Sequence, residues 1–297
     1  MQDASGDSFC KHPPKPWASK EKEGKSGIRD TMEELAIEPR GLFFQQDFVT
    51  PAHEAELVRV FREELEWPVR PPGTRLSLHY GYTFDYKTFG VDPNIPFRDF
   101  PGWLRPLIPK TVVDPRSGVP KTPDQVCLQY YPPGAGIPPH VDTHSAYDEL
   151  YSLSLGSAVM MQFRRPPSTA TATAGATAES DGKRGGEEEE DAEDKRAELD
   201  LLPRSLLELR GDARLHWTHG IKKRKTDTLP DGTVRARQDR WSITYRWLRE
   251  PARAGEPAEC ECGNARQCDT AQRRAGIERE YRWKQKELDK QQQETTG

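Results

Sequence analysis

The sequence predicts a mainly β fold with a minor helical part (α+β), built as an antiparallel barrel or jelly roll. Short apolar stretches rich in β-branched and aromatic residues recur along the chain, and turns rich in Gly and Pro separate them. Hydrophobic residues make up only 34% of the 297 residues, so we expect part of the chain to stay unpacked. No apolar run approaches the ~18 residues of a membrane-spanning helix, and no membrane partner is expected.

One amphipathic helix is predicted early in the folded region, as support for the β core. Thr50 is placed to cap its N-terminus, and Pro51 suits the first helical position. Apolar residues then recur on one face until Trp67-Pro68, before which the helix must end. A strand at 41–44 precedes this helix.

The other predicted strands follow the helix. They cover residues 76–84, 126–131, 150–155, 158–163, 206–209, 214–217 and 241–247. Because Gly156-Ser157 separates two of them, we expect 150–155 and 158–163 to pair as a hairpin.

The folded domain is predicted to span residues 39–269, with polar segments around and within it. We expect residues 1–38 to form a disordered arm and residues 270–297 a charged helical or frayed tail. An acidic insertion at 166–198 is expected to be an unstructured surface loop. The chain carries a net charge of −4, and this insertion is strongly acidic, so the remainder is weakly basic and compatible with an anionic partner.

The run His140-Val141-Asp142-Thr143-His144 and the distant His219 carry the strongest chemical signal. Two histidines and one carboxylate form the facial triad that binds Fe(II) and leaves other coordination positions open. On a strand, His140, Asp142 and His144 would share a face, so the third ligand is either His144 or His219. We favour His219, which precedes a Gly turn as a ligand from a neighbouring strand would. The alternative is a hydrogen-bonded surface pair together with an ordinary buried histidine.

Two arginines on a later apolar strand favour the metal site. Arg240 and Arg246 are six residues apart and therefore share one face of that strand. An arginine is rarely buried without an anionic partner, and its guanidinium can clamp a carboxylate through two parallel hydrogen bonds. The pair indicates a dicarboxylate cosubstrate beside the metal.

These motifs, in this order, resemble those of the AlkB family of Fe(II)/2-oxoglutarate dioxygenases. The runs at 79–82, 136–157 and 202–221 are most similar to the branch that contains the tRNA wobble-uridine hydroxylase, AlkB homologue eight. The resemblance extends from Gly41 to Cys268, apart from the acidic insertion. It implies a double-stranded β-helix jelly-roll core, with Fe(II) and 2-oxoglutarate as cofactors.

The resemblance also implies residue roles. It assigns iron and catalysis to His140, Asp142 and His219, and cosubstrate binding to Gln129, Tyr131, Arg240 and Arg246. Arg240 would bind the distal carboxylate of 2-oxoglutarate, and Arg246 would lie near the iron. Gln129 stands where the family usually has Asn, so one cosubstrate contact is expected to differ.

The five cysteines do not fit a disulfide framework, because their number is odd and three of them cluster late in the chain, at Cys260, Cys262 and Cys268. A thiolate cluster suits a reducing compartment, so we expect a cytoplasmic location and allow a nuclear one in addition. Zinc usually takes four ligands, and the resemblance implies His144 as the fourth, which makes residues 256–269 a C-terminal zinc clip. The alternative is three free thiols in a mobile tail.

The residues predicted to contact substrate are His79, Tyr80, Tyr82, Lys222, Lys223 and Arg224. Aromatic rings at 79–82 can stack on a flipped base, and a basic run after His219 can contact phosphates near the mouth of the site. The alternatives are core packing for the aromatic run and an ordinary solvated loop for the basic run.

The leading hypothesis is a dioxygenase that hydroxylates RNA, with a modified tRNA wobble uridine of the 5-methoxycarbonylmethyluridine type as substrate. We expect a monomer. If a wobble uridine is the substrate, its methylation is expected to come from a separate tRNA methyltransferase, or the sequence is a fragment. One alternative is an AlkB-type oxidative demethylase of alkylated nucleic acid. The other is a non-catalytic, metal-stabilised module that binds RNA or a methyltransferase.

Overall fold

The computed structural model describes residues 32–85, 87–110, 112–114, 117–165, 195–265 and 267–277. Most of the predicted arm, most of the acidic insertion and most of the predicted tail lie outside these residues. The predictions of disorder at 1–31 and 166–194, and of a helical or frayed tail at 278–297, therefore remain predictions.

The elements of the described part follow one another in a mainly β order. The first half contains β1 (Glu33–Glu34), β2 (Leu42–Gln45), α1 (Pro51–Glu63), β3 (Leu76–Gly81), β4 (Phe84–Asp85), β5 (Gly90–Val91), a 3-10 helix (Arg105–Leu107), β6 (Gln125–Tyr131), β7 (Ile137–His140), β8 (Leu150–Gly156) and β9 (Val159–Arg164). The second half contains β10 (Arg196–Leu201), β11 (Leu206–Leu209), α2 (Gly211–Leu215), β12 (Thr218–Ile221), β13 (Thr226–Thr228), β14 (Val234–Ala236), β15 (Arg240–Arg246), α3 (Glu250–Arg253) and α4 (Asp269–Arg274). None of these described helices is long and apolar enough to cross a membrane.

Two antiparallel sheets pack face to face and form the jelly roll. The larger sheet has the order β1-β2-β11-β8-β15-β6-β3, and the smaller has the order β10-β9-β12-β7. Apolar side chains from both sheets fill the space between them, among them Leu150 and Leu207 from the larger sheet and Met161, Phe163 and Ile221 from the smaller. The predicted mainly β jelly roll is confirmed.

Helix α1 covers the outer face of the larger sheet, as predicted for a supporting helix. The Thr50 hydroxyl accepts a hydrogen bond from the backbone N–H of His53 at 3.2 Å, which caps the N-terminus. On the buried face, the Phe61 ring packs against the Trp241 ring of β15, with centroids 6.3 Å apart. The helix thus braces the strand that carries both predicted arginines.

The predicted hairpin of 150–155 and 158–163 is wrong. β8 pairs with β11 and β15, whereas β9 pairs with β10 and β12 in the other sheet. Both edges of β8 are occupied, so β9 cannot pair with it. The chain leaves β8 at Gly156, where φ is 82° and a Cβ would lie 2.5 Å from the carbonyl oxygen of Asp239. Glycine is therefore required at this crossing.

The predicted strand at 214–217 is also wrong, because these residues form the end of α2 and a turn. The carboxylate of Asp212 accepts a hydrogen bond from Trp217 Nε1 at 2.8 Å and lies 2.9 Å from His216 Nδ1. Such local side-chain bonds favour a turn over a strand. His219 therefore lies inside the following strand, β12, and not at a strand end.

Two predicted boundaries shift. β1 lies inside the predicted arm of residues 1–38 and pairs with β2. β10 begins at Arg196, inside the predicted insertion of residues 166–198, and pairs with β9 along its full length. Both strands lie at sheet edges and are rich in charged residues. The pattern of hydrophobic residues therefore did not predict them.

Candidate active site

The three predicted iron ligands meet at the end of β7. His140 is the last residue of β7 and the register partner of His219 on β12, and their ring centroids are 4.5 Å apart. Asp142 lies in the following loop, with Oδ2 3.3 Å from Nε2 of His219. One ligand atom of each residue lies within 4.8 Å of the others. The three side chains therefore form a cluster that can hold one metal ion.

The residues from 140 to 144 do not form one strand, so the expectation that three side chains share a strand face is wrong. β7 ends at His140. The guanidinium of Arg214 on α2 donates hydrogen bonds to the carbonyl oxygens of Asp142 and Thr143 at 2.9 and 2.7 Å, in place of a strand partner. The resulting turn sends Asp142 to the iron cluster and His144 to the cysteines.

His140 is held neutral and in one tautomer. Its Nδ1 lies 2.9 Å from the carbonyl oxygen of Pro138, so Nδ1–H donates and Nε2 keeps a free lone pair. Burial, followed by the effect of the neighbouring His219, lowers the pKa of His140 to about 4. A neutral imidazole is the form that binds a metal.

Asp142 is the ionised member of the cluster. Burial would raise its pKa, but the Arg246 charge and the His219 hydrogen bond outweigh burial and hold the pKa well below its ordinary value. Arg246 Nε donates to Oδ1 at 2.9 Å, and Nη2 donates to the same oxygen. Oδ2 is buried and faces Nε2 of His219 at 3.3 Å. Arg246 thus occupies one oxygen and leaves the other for a metal.

Arg240 lines the same cavity as Arg246, as their spacing predicted. It is 3% exposed, and its Nη2 donates to the hydroxyl of Ser154 at 2.8 Å. Its guanidinium carbon lies 5.0 Å from the centre of the Tyr131 ring. Nε and Nη1 are buried without an acceptor. Two unpaired N–H groups on a buried cation fit a carboxylate ligand.

The cavity between the sheets has one polar and one apolar wall. On the polar wall, the Tyr131 hydroxyl donates to Gln129 Oε1 at 2.7 Å, and Ser242 and Thr244 lie between the two arginines. The apolar wall combines Leu150, Leu207 and Leu209 of the larger sheet with Met161 and Ile221 of the smaller. Such a space suits a small dicarboxylate that also reaches the metal cluster.

The jelly roll brings two histidines and a carboxylate next to a buried arginine that has no anionic partner. This combination defines a class of protein, the oxygenases that use Fe(II) with a 2-oxo acid. The ionised carboxylate of Asp142 beside two histidines suits Fe(II), and the unpaired Nε and Nη1 of Arg240 suit the 2-oxo acid. Residues 41–246 match the 2OG-Fe(II) oxygenase superfamily. The chain belongs to this family and is a 2-oxoglutarate- and Fe(II)-dependent dioxygenase.

Its relatives are AlkB-type proteins, which confirms the resemblance drawn from the motifs. The chain is 34% identical over 236 residues to the alkylated DNA repair protein ALKBH8 homolog of Arabidopsis thaliana, covering 78% of this chain and 63% of that protein. It is 31% identical over 257 residues to the tRNA (carboxymethyluridine(34)-5-O)-methyltransferase alkbh8 of Xenopus tropicalis, covering 79% of this chain and 35% of that protein. The chain thus spans less than two thirds of the length of these two relatives. The solved structure of OsALKBH1 matches with a TM-score of 0.43 and 15% identity, over 73% of this chain and 99% of that one.

A second ligand cluster lies beyond the iron loop. It consists of one imidazole and three thiols whose ligand atoms all lie within 4.8 Å of one another: His144, Cys260, Cys262 and Cys268. His144 Nε2 lies 3.0 Å from the carbonyl oxygen of Leu215, so Nδ1 is left facing the Cys260 sulfur at 3.5 Å. Burial would raise the pKa of Cys268, but the neighbouring side chains of His144 and Thr270 outweigh burial and lower the pKa to about 6. One nitrogen and three sulfurs form a typical structural zinc donor set.

Strand β3 separates the predicted aromatic substrate residues onto two faces. Tyr80 is 4% exposed and packs edge-on against Trp103, with centroids 6.0 Å apart, so its assignment to substrate is corrected to the core. His79 is exposed and points to the opposite face, where its register partner is Cys127 of β6. Tyr82 is half-buried and packs edge-on against Phe97 at 4.9 Å. Of the three, His79 is the one the structure leaves open on the side of the cavity.

The predicted basic run lies further from the iron ligands than expected. Lys222 and Lys223 are exposed, but their backbone packs against Gly136 in the β6–β7 turn, at the opposite end of β7 from His140. The placement near the mouth of the site is therefore corrected. Arg224 donates to Asp227 at 2.9 Å, which occupies its guanidinium.

Sequence reasoning missed three polar residues around the site. Ser154 positions Arg240, Arg214 holds the iron loop, and Arg75 lies with its guanidinium carbon 5.9 Å from the centre of the Tyr131 ring. Arg75 lies four residues before His79, so the strand period could have placed it on the same face. The other two roles arise from contacts between residues distant in sequence, which no local pattern carries.

Proposed function

We propose that this dioxygenase hydroxylates RNA, with a modified wobble uridine of tRNA, of the 5-methoxycarbonylmethyluridine type, as its substrate. The supporting observation is a full set of iron and cosubstrate residues in a chain whose Xenopus relative is described as acting on carboxymethyluridine at tRNA position 34. The Arabidopsis relative is described as an alkylated DNA repair protein, so demethylation of alkylated nucleic acid is the second candidate.

The side chains have separate roles in this reaction. Bound Fe(II), 2-oxoglutarate and O₂ supply the oxidation, in which one oxygen atom enters a substrate C–H bond and the other converts 2-oxoglutarate to succinate and CO₂. His140, Asp142 and His219 would hold the iron. Arg246 keeps Asp142 ionised and directs Oδ2 toward the histidines, while Arg240 binds the distal carboxylate. The apolar wall excludes water from the reacting groups.

The substrate is proposed to approach between strands β3 and β7, which are edge strands of the two sheets. His79 offers an exposed ring on which a base can stack. Arg75, directly before β3 and with its guanidinium near the Tyr131 ring, is half-buried and suited to a phosphate or to the ester of the modified base. Lys222 and Lys223 would add phosphate contacts further along the RNA.

The proposal also includes zinc in the cysteine cluster. Four protein donors fill a tetrahedral site and leave no open position, so this zinc would be structural and not catalytic. We further propose a cytoplasmic or nuclear monomer that acts on the product of a separate tRNA methyltransferase.

Nucleoside mass spectrometry tests the proposed reaction. The full chain is incubated with Fe(II), 2-oxoglutarate, ascorbate and tRNA that carries 5-methoxycarbonylmethyluridine, and the wobble nucleoside is expected to gain one oxygen atom. Asp142→Ala should abolish the product. Asp148→Ala is the matched control, because Asp148 is exposed, pairs with Arg249 and belongs to neither ligand cluster; it should retain activity.

The alternatives give different products. Loss of a methyl group as formaldehyde from an alkylated oligonucleotide, with no change in the tRNA, would replace hydroxylation by demethylation. Succinate formation that neither nucleic acid stimulates would contradict both enzymatic candidates for nucleic acid.

A further inference from the structure

Arg214 is a fully buried cation whose role the iron and cosubstrate sites do not explain. Its side chain has no exposed surface, and its Nε is buried without an acceptor. Within the described residues its hydrogen bonds go only to backbone carbonyls, and the carboxylates of Asp142, Asp269 and Asp148 act on it through their charge without a direct ion pair. Burying a charge without an ion-pair partner is costly, and an apolar side chain would fill the same space at lower cost. Packing alone therefore does not account for this residue.

The two hydrogen bonds from Arg214 fix the chain at the iron carboxylate. β7 ends at His140, so the next residues have no strand partner. Nη1 and Nη2 bind the carbonyl oxygens of Asp142 and Thr143 in a rigid fork. Fixing these two carbonyls restricts the backbone at Asp142 and keeps its carboxylate between His219 and Arg246.

The same loop is tied to the cysteine cluster. The carbonyl oxygen of Leu215, next to Arg214, lies 3.0 Å from His144 Nε2. The backbone N–H of His144 donates to Asp269 Oδ1 at 2.9 Å, directly after Cys268. The loop from 142 to 144 is therefore held by α2 on one side and by the cysteine segment on the other.

We propose that Arg214 is a positioning residue that makes metal affinity at the iron site depend on zinc in the cysteine cluster. Zinc fixes His144, and a fixed His144 keeps the two preceding carbonyls within reach of the guanidinium. Without zinc, the loop loses one anchor, and the fork no longer holds Asp142 in place. This inference rests on the proposed zinc site. The assignment of the iron ligands does not depend on zinc, because it follows from the similarity to the oxygenase family. Groups that orient a metal ligand alter metal affinity by about 10- to 100-fold.

A double-mutant cycle on metal affinity tests this coupling in the full chain. Mn(II) is the probe for the iron site, its affinity is measured by electron paramagnetic resonance titration, and zinc is measured by mass spectrometry. Arg214→Met and Cys260→Ser are each expected to weaken Mn(II) binding by about 10- to 100-fold. Both substitutions act through the loop at 142–144. The double variant should therefore bind Mn(II) about as tightly as whichever single variant binds it less tightly. No RNA or turnover is involved, so the result is independent of the proposed substrate.

Two further variants separate positioning from general stability. Arg235→Met is the matched control, because Arg235 donates two hydrogen bonds to Asp200, at 2.8 and 2.6 Å, and neither residue belongs to a metal cluster. It should lower the melting temperature and leave Mn(II) affinity unchanged. Arg214→Lys keeps the charge but lacks the fork, so it should show an intermediate loss, and it takes the place of Arg214→Met if that variant does not fold.

Three results would overturn the proposal. They are unchanged Mn(II) affinity in the Arg214 variants, losses that multiply in the double variant, and a zinc-free Cys260→Ser protein that binds Mn(II) as tightly as the wild type. Retention of one equivalent of zinc by Cys260→Ser would contradict the cluster itself.

Discussion

Arg240 carries a positive charge that no described carboxylate neutralises, with two N–H groups left for a ligand. Replacing it by methionine removes a desolvated charge, so we expect Arg240→Met to leave the melting temperature of the ligand-free protein unchanged or slightly higher. If Arg240 binds 2-oxoglutarate as proposed, the same change removes two charge-assisted hydrogen bonds of about 3 kcal/mol together and should weaken 2-oxoglutarate binding by roughly 100-fold. Calorimetric titration with 2-oxoglutarate in the presence of Mn(II) measures the loss.

The opposite signs of these two effects make the Arg240 prediction specific. A merely structural arginine would lower the melting temperature and leave 2-oxoglutarate affinity intact. That pattern in Arg240→Met would contradict the assignment of its two free N–H groups to the cosubstrate.

His140 should make the metal-free protein sensitive to acid. Burial and His219 lower its pKa to about 4, so between pH 6.5 and about 4 the unfolded chain binds a proton that the folded protein does not. The free energy of unfolding should therefore fall as the pH decreases through this window. His140→Gln removes this contribution and should flatten the pH profile in urea titrations of the metal-free protein. Parallel profiles for the two proteins would show that His140 is not held neutral.

The residues of the active site could be predicted where their spacing carries the signal. His140, Asp142 and His219 recur in a short pattern, and Arg240 and Arg246 share a strand face because six is an even number of residues. Arg214 escaped prediction because its role depends on carbonyl oxygens more than 70 positions earlier in the chain. Only the folded chain brings those groups together.

Strand β3 shows how neighbouring residues serve different functions at the scale of an element. Tyr80 packs against Trp103 in the buried core, so Tyr80→Ala should destabilise the protein by about 3 kcal/mol, as expected for loss of a buried aromatic ring. His79 points to the other face, so His79→Ala should leave stability unchanged. It should lower kcat/KM for RNA by about 10-fold, because stacking on one base is worth ~1–3 kcal/mol.

Urea unfolding and tRNA turnover, measured on both variants, check the prediction for β3. Each variant is the control for the other, because the two residues are adjacent and differ in the face they occupy. Full RNA activity in His79→Ala would contradict a substrate contact at this strand.

Signals from neighbouring residues predicted single helices and strands better than they predicted which strands pair. Thr50 and Pro51 defined the start of α1, because capping acts within one helical turn. The turn at Gly156-Ser157 could also be predicted from neighbouring residues. The strands that pair with β8 could not, because β11 and β15 occupy its two edges. Which strands occupy those edges is decided by residues far away in sequence, so the hairpin prediction failed.

At the scale of the whole molecule, the C-terminal segment closes over the side of the jelly roll. Ala252 and Ala258 are buried with Phe89 and Val91 in a small apolar cluster outside the two main cores. The segment contributes only two small side chains to this cluster, Ala252 and Ala258, so the cysteine site is expected to supply much of the attachment of this segment. Structural zinc sites contribute directly to folding free energy.

Loss of zinc should therefore release the C-terminal segment before the jelly roll unfolds. We expect one equivalent of zinc in the purified protein and none in Cys262→Ser, whose melting temperature should fall by several degrees. Limited proteolysis should then cut Cys262→Ser within residues 250–277, because the segment no longer has its metal anchor, while the barrel core stays intact. Cys127→Ala is the matched control, since Cys127 is buried on β6 outside the cluster and its replacement should retain zinc and resist cleavage. If Cys262→Ser kept its zinc, or lost it without any new cleavage, the segment would be held by its apolar contacts and not by the metal.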